Sequence, residues 1–289
     1  MPNLTPVERM QLVLELLETR GGIRVSELAE EFSVSEVTVR SDLAELARQG
    51  LVARVRGGVR ALQRPQSELG FDMRLRLQPV EKRAIARAAA AMVGDGEAIA
   101  LDCSTTAYYT ALELKGKKEL VVVTNGLLIA AALAEAPGIS VILTGGMLRR
   151  AAMSLVGDLA TDVLRTTRIN MGFFGARGLS FERGLMDLNP EEVRLKQELA
   201  SACERVIGIF DHTKWSRSAL LSFVPAEGVH AIVTDADAPA DLVEGWRDRG
   251  VDVVAVEPGA GREAGPGEPR GLHRRAPDAP AHPAEARTA

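Results

Sequence analysis

The chain has 289 residues, 46% of them hydrophobic and 26% charged, with a formal net charge of −4. That length leaves room for two domains with real cores, and that charge excludes a globally basic coat on nucleic acid. Two distant cysteines, Cys103 and Cys203, point to a reducing cytoplasm and no disulfide framework. No cofactor or metal cluster is expected, since His273 and His282 fall in the C-terminal tail and no CxxC or HxxxH pattern occurs. No leader and no apolar run long enough to cross a bilayer is expected either.

Three short helical patterns come first. Thr5-Pro6-Val7-Glu8 has the form of a capping box, with Pro6 at the first helical position. Val7, Met10, Leu14 and Leu17 then make one apolar stripe. Gly21-Gly22 stops the helix, and Ile23-Arg24-Val25 reads as a short strand. Ser26 is expected to cap the second helix, with Leu28, Ala29 and Phe32 inward. Ser33-Val34 is the turn, and Ser35 caps the third helix. There Val39, Leu43 and Leu46 face the core. The opposite face carries Val37, Thr38, Ser41, Glu45 and Arg48, with Arg40 on its flank. Short donors beside a forked one suit a helix entering the major groove end-on.

Gly50 fits a left-handed helix stop. Residues 52–55 and 59–61, around Gly57-Gly58, read as a hairpin wing. The charge changes sign along this head. Residues 1–36 hold three arginines against seven glutamates, whereas residues 37–64 hold six arginines against Asp42 and Glu45. Phosphate attraction needs such a local patch. The DNA-contacting candidates are Ser35, Thr38, Arg40, Ser41, Arg48, Arg54, Arg56, Gly57 and Gly58. A small helical bundle with a solvated arginine face would show the same charges.

Residues 62–79 read as a polar connector with Pro65 and Pro79. Over 80–256, apolar runs at 98–102, 120–124, 139–144, 170–174, 205–211, 230–234 and 251–256 alternate with helical patterns. The helices are expected at 81–93, 105–114, 126–135, 155–165, 190–203 and 239–249. Near-continuous Val, Ile and Leu predict strands covered on both faces, hence an α/β domain with a mostly parallel sheet. From 257 the composition turns to Pro, Gly, Ala and Arg, as in a disordered tail. Four segments follow: a head at 1–61, a linker at 62–79, an α/β domain at 80–256 and a tail at 257–289.

Each apolar strand ends in a polar cluster: Asp102-Cys103-Ser104-Thr105-Thr106, Thr124-Asn125-Gly126, Thr144-Gly145-Gly146, Gly175-Ala176-Arg177-Gly178, Asp211-His212-Thr213-Lys214 and Thr234-Asp235. In a parallel sheet these share the carboxyl edge, where open α/β folds bind ligands. Thr105-Thr106 also opens a helix, whose free amides favour an anion. A polyhydroxylated, phosphorylated ligand suits that set. Any one cluster is equally well explained by the needs of a turn. Gly172, Gly175 and Gly178 have dinucleotide-fingerprint spacing but occur too late in the domain for a nicotinamide site. Cys103 has no histidine placed to activate it and reads as a small packing residue.

Both halves resemble one family. Leu28-Ala29, Phe32-Ser33-Val34-Ser35, Thr38-Val39-Arg40, Asp42-Leu43, Gly50-Leu51, Arg54 and Gly57-Gly58 are similar to the head of DeoR-type bacterial transcriptional repressors. Glu81-Lys82, Ile85-Ala86, the Asp102–Thr106 loop, Thr124-Asn125, Gly145-Gly146, Gly157, Asp211 and Lys214 are similar to that family's sugar-phosphate-sensing domain, itself similar in fold to ribose-5-phosphate isomerase. The resemblance implies an effector pocket at Asp102, Ser104, Thr105, Thr106, Thr124, Asn125, Gly145, Gly146, Asp211 and Lys214, with Lys82 and Arg149 added. It also implies homo-oligomers, dimers or tetramers, on repeated half-sites of double-stranded DNA. Three positions depart from the family pattern: Ser41 in place of a second arginine, Arg56 in place of a histidine, and Ser104 in place of glycine.

The function expected is a cytoplasmic, DNA-binding repressor of carbohydrate genes controlled by a phosphorylated sugar. The competing enzyme would be an isomerase with Asp102 as base and Lys214 stabilising an enediolate. It lacks a second carboxylate clearly placed on the rim and has no use for a recognition helix. A third possibility is a protein-interaction adaptor.

Overall fold

The computed structural model describes residues 4–61, 69–160, 164 and 166–258. The expected tail lies outside them from residue 259.

In the head, helix α1 (Pro6–Arg20) starts at the Thr5–Glu8 capping box and ends at Gly21, which has φ 69°. Strand β1 (Gly22–Arg24) leads directly into α2 (Val25–Phe32). The expected Ser26 cap is displaced, because α2 begins at Val25 with no side-chain cap. Ser35 does cap α3 (Glu36–Arg48), accepting from the Thr38 amide. Strands β2 (Val52–Val55) and β3 (Gly58–Ala61) form the wing and join β1 in an antiparallel sheet of order β1-β3-β2. Met10, Leu14, Leu17, Leu28, Val39, Leu43 and Leu46 close the core. Asp42 is buried there too, in a two-pronged bond from Arg9 (2.8 and 3.3 Å) that ties α3 to α1.

The stretch expected as a polar connector carries helix α4 (Phe71–Leu75). Leu69 is fully buried in the head's core, while Phe71 and Leu75 pack with Ala86 and Tyr109 beyond it. The sequence signal missed this because one turn of helix leaves no period to read.

Helix α5 (Pro79–Ala91) opens the α/β domain. Strands β4 (Ala98–Leu101), β5 (Leu120–Thr124) and β6 (Ile139–Leu143) step outward to one edge, with helices α6 (Thr105–Glu113) and α7 (Leu127–Leu133) between them. After the hairpin β7 (Met147–Arg149) and β8 (Ser154–Val156), the chain returns to the middle as β9 (Ile169–Phe174). A small antiparallel sheet follows, of order β10-β11-β13, from β10 (Gly178–Ser180), β11 (Gly184–Asp187) and β13 (Leu221–Val224). Helix α8 (Pro190–Ser201), β12 (Cys203–Ile209), β14 (Ala231–Asp235), α9 (Ala240–Arg247) and β15 (Asp252–Val256) complete the domain.

The seven main strands are all parallel, in the order β15-β14-β12-β9-β4-β5-β6. Ile99, Val122, Met171 and Ile207 pack on one side with α5 and α6, and Ala100, Val123, Phe174 and Ile232 on the other with α8 and α9. Burial on both faces explains the continuous apolar runs. The order reverses direction between β4 and β9, so a crevice opens beyond their carboxyl ends. The helix expected at 155–165 is not formed among the described residues of that span: β8 occupies 154–156, Gly157 turns the chain at φ 103°, and a short 3-10 turn covers Asp158–Ala160.

Candidate functional site

The nucleic-acid interface builds from α3 and the wing. The Ser35 hydroxyl is spent on the Thr38 amide (3.1 Å) and hydroxyl (2.9 Å), which fixes the helix start. Val37 is 77% exposed at that start, an apolar side chain left open to solvent. Ser41, Arg54, Arg56 and Gly57 are exposed, and Arg40, Arg54 and Gly57 gather around one groove. Arg40 pairs with Glu36 (2.7 Å) and Arg48 with Glu45 (2.5 Å). The Arg48 and Gln49 hydrogen bonds hold Glu45 down to about 2. Exposed pairs of this kind yield readily to a phosphate. Gly58 lines the same groove but is itself buried, and a Cβ there would stand 2.5 Å from the Ile23 carbonyl oxygen. Its role is to let β3 approach β1. Exposed Arg60 on β3 adds a cation that the candidate set left out.

In the α/β domain a cleft of about 700 Å³ opens at the switch point, past the ends of β4, β9 and β12. Ser104, Thr105, Thr106, Arg149, Lys82, Asp211 and Lys214 line it as expected. Ser104 caps α6 by accepting from Ala107, at 3.1 Å. Its Cβ would lie 2.4 Å from a Cβ on residue 175, so the side chain fits only because that residue is glycine. The Lys82 ammonium donates to the Arg74 and Leu77 carbonyls, both at 2.6 Å, and burial pushes it down to about 7 although Asp211 pulls the other way. Burial also lowers Lys214. Burial opposes the charge of Asp211, but Lys214 and Lys82 outweigh it and hold the carboxyl down to about 2.

The other expected residues do not line the cleft. Asp102 is fully buried, accepting from the Ser104 amide (3.0 Å) and the Gly175 amide (2.9 Å), with the Lys196 ammonium 3.0 Å away. It fastens β4 to β9. The Thr124 hydroxyl accepts from Gly126, and Gly145 and Gly146 turn the chain into β7 at positive φ. Asn125 is buried and donates to Glu192 at 3.3 Å.

Several cleft residues were missed. Arg74 lines it with a buried Nη2 that has no hydrogen-bond partner among the described residues. Arg177, Asp187, Glu192 and Lys196 line it as well. Glu192 and Lys196 look like an ordinary surface pair one helical turn apart. The readable signal was that, with Leu199, they fall on the apolar stripe of α8. A second carboxylate is therefore present, contrary to expectation, but it is saturated. Glu192 accepts from Cys103 (3.2 Å), Asn125, Arg149 (3.3 Å) and Ser154. Asp187 accepts from Lys196 at 2.7 Å. Burial opposes its charge, yet Lys196 and Arg177 hold it down to about 2. Cys103 is buried, and desolvation followed by Glu192 raises its thiol well above the usual range, in keeping with a packing role. His212, Asp235 and Asp237 come together beside the cleft, and Asp235 directs one oxygen to the His212 amide and the other to its ring, both at 2.7 Å.

A winged helix-turn-helix joined to a parallel α/β domain with a charged cleft is the architecture of a two-domain transcription regulator. Residues 9–64 match the DeoR-like helix-turn-helix domain, and residues 77–236 match the DeoR C terminal sensor domain. The chain belongs to the DeoR family of transcription regulators. It is 34% identical to a putative aga operon transcriptional repressor of Escherichia coli O157:H7, over 86% of this chain and 93% of that protein. It is 34% identical to the HTH-type transcriptional regulator GolR of Listeria innocua, over 87% and 99%. It is 31% identical to the glycerol-3-phosphate regulon repressor of Escherichia coli K12, over 85% and 97%. Among solved structures, ribose 5 phosphate isomerase A from Neisseria gonorrhoeae is 19% identical, with a TM-score of 0.36, over 46% of this chain and 52% of that one. No helix among the described residues is long and apolar enough to cross a membrane.

Proposed function

We propose that this protein is a cytoplasmic repressor of carbohydrate-metabolism genes whose grip on double-stranded DNA is released by a phosphorylated sugar or a related metabolite. The observation that carries the reading is the composition of the cleft. Arg74, Lys82 and Lys214 line the same cleft as the first turn of α6, a setting for an anion, while Asp211, Thr105 and Thr106 stand by for hydroxyls. The relatives named for the aga operon and the glycerol-3-phosphate regulon support a sugar-related operon. Exposed Met147, Leu148 and Leu159 support a homo-oligomer, dimer or tetramer.

The test is fluorescence-anisotropy binding to the gene's own upstream DNA, with and without a panel of sugar phosphates. One member is expected to weaken binding about 5–150-fold, the usual range of coupling between sites. Absence of DNA binding at low salt would remove the reading altogether. The isomerase alternative is disfavoured because both cleft carboxylates beyond Asp211 are already committed to lysine, arginine or amide donors. Turnover of a panel member, abolished by Lys214→Ala, would reverse that judgement.

A further inference from the structure

Helix α1 belongs to the DNA-reading head, yet Gln11 lines the effector cleft. A second cleft of about 560 Å³ runs along the same helix and shares Gln11, Leu77 and Lys214 with the first. The two form one groove with α1 as a side wall. At its outer end Arg217 donates to Glu15 at 2.5 Å, across 202 residues of chain, and Gln11 donates to the same Glu15 oxygen at 2.7 Å. Arg217 is three residues past Lys214, on the same turn as the effector candidates.

We propose that α1 is a wall of the effector site and that the Glu15–Arg217 ion pair is an anion-displaceable latch between head and sensor. The proposal rests on the sensing reading given above and names its mechanical link.

The physics is a competition for one cation. Both side chains are about one-third exposed (31% and 32%), so an incoming anion can reach the pair. A pair so exposed to water holds weakly, and its cation is readily exchanged to another anion. A phosphate has more charge and more acceptor oxygens than a carboxylate and matches the guanidinium fork equally well. Glu15 also helps to keep Lys214 charged, against burial and against Arg217 and Arg177, so the head is felt electrostatically inside the cleft. An anion bound at Lys214 takes over that work, repels the Glu15 carboxylate and draws Arg217 away from it. The head then loses its one charged tether to the sensor among the described residues. Conversely, a docked head puts a negative charge beside the anion site and lowers ligand affinity, as reciprocity requires.

The test uses the full-length protein, wild type and three variants: Glu15→Gln, Arg217→Gln, and the exchanged pair Glu15→Arg with Arg217→Glu. Hydrogen exchange of α1 is measured without ligand. DNA affinity is measured with and without the panel member that shifts wild-type binding, or inorganic phosphate at fixed ionic strength if none does. Both single variants are expected to exchange faster in α1, to bind DNA more weakly without ligand, and to respond less than twofold to it. The exchanged pair is expected to restore slow exchange and DNA binding. Its cation now sits on the head, so the anion holds the head in place and the response vanishes or inverts. A merely structural contact would regain the wild-type sign of response. Unchanged α1 exchange in both single variants overturns the latch. Lack of any ligand effect on the wild type instead overturns the sensing reading, and the exchange data still judge the contact.

Discussion

Burial pushes the Lys82 ammonium from 10.5 to about 7, and this gives the cleft a measurable pH dependence. Between about pH 7 and 10.5 the folded protein holds this amine neutral while the unfolded chain keeps it protonated. The unfolded state then binds more protons, so this residue's contribution to stability rises with pH across that window. Anion binding has the opposite sign. A phosphate dianion favours the ammonium form, so above about pH 7 a sugar phosphate bound as proposed is expected to take up a proton, with affinity falling by up to about tenfold per pH unit. Calorimetry at pH 8 in two buffers of different ionisation heat should show this uptake in the wild type and not in Lys82→Met. Equal heats in both buffers would mean that Lys82 does not answer to the ligand. Lys82 was legible as a family-motif lysine. Its altered basicity was not, because that comes from burial and from the cations Lys214, Arg74 and Arg177, which the fold brings around it.

Elements whose signals are local were readable: the Thr5–Glu8 box, the Ser35 cap and the stripe of α3 all stand where spacing put them. Elements defined by distant partners were not. The three-residue strands β7, β8 and β10 are too short for a period, and β11 pairs with β13 more than thirty residues later. The wing was readable as a hairpin, and its arginines make a quantitative claim. Arg54 and Arg56 are exposed on β2 and its turn, so each can meet one phosphate. Each such contact adds about −0.9 to the slope of log affinity against log salt. The double variant Arg54→Ala with Arg56→Ala should flatten that slope by about 1.8 and weaken specific and nonspecific DNA alike. An unaltered slope would take the wing off the phosphate backbone.

On the scale of the molecule, the polar strand ends named the correct edge of the sheet but not the crevice. Thr124 ends β5, and Gly145 and Gly146 follow β6, whereas the cleft lies where β4 meets β9, a neighbourhood created by the return of the chain after β8. Strand order is a property of crossovers, and nothing local in a strand records it. The same is true of residues 69–77, where the two bodies share one short segment: Leu69 completes the head's core, and Phe71 stacks edge-on against Tyr108 of α6 at 5.7 Å. The head is consequently no exchangeable cassette. A hybrid regulator joined at residue 61 sets a foreign head on this chain's Leu69; one joined at residue 77 sets foreign side chains against Tyr108 and Tyr109. Either full-length hybrid should melt several degrees below its parents, since each kcal/mol of mismatch costs about 2–4 °C in a chain of this size, and matching residues 69–77 to both neighbours should recover the loss. A hybrid melting with its parents from either junction would show the segment to be neutral. Any exchange of the head on this chain must therefore refit nine residues of common ground.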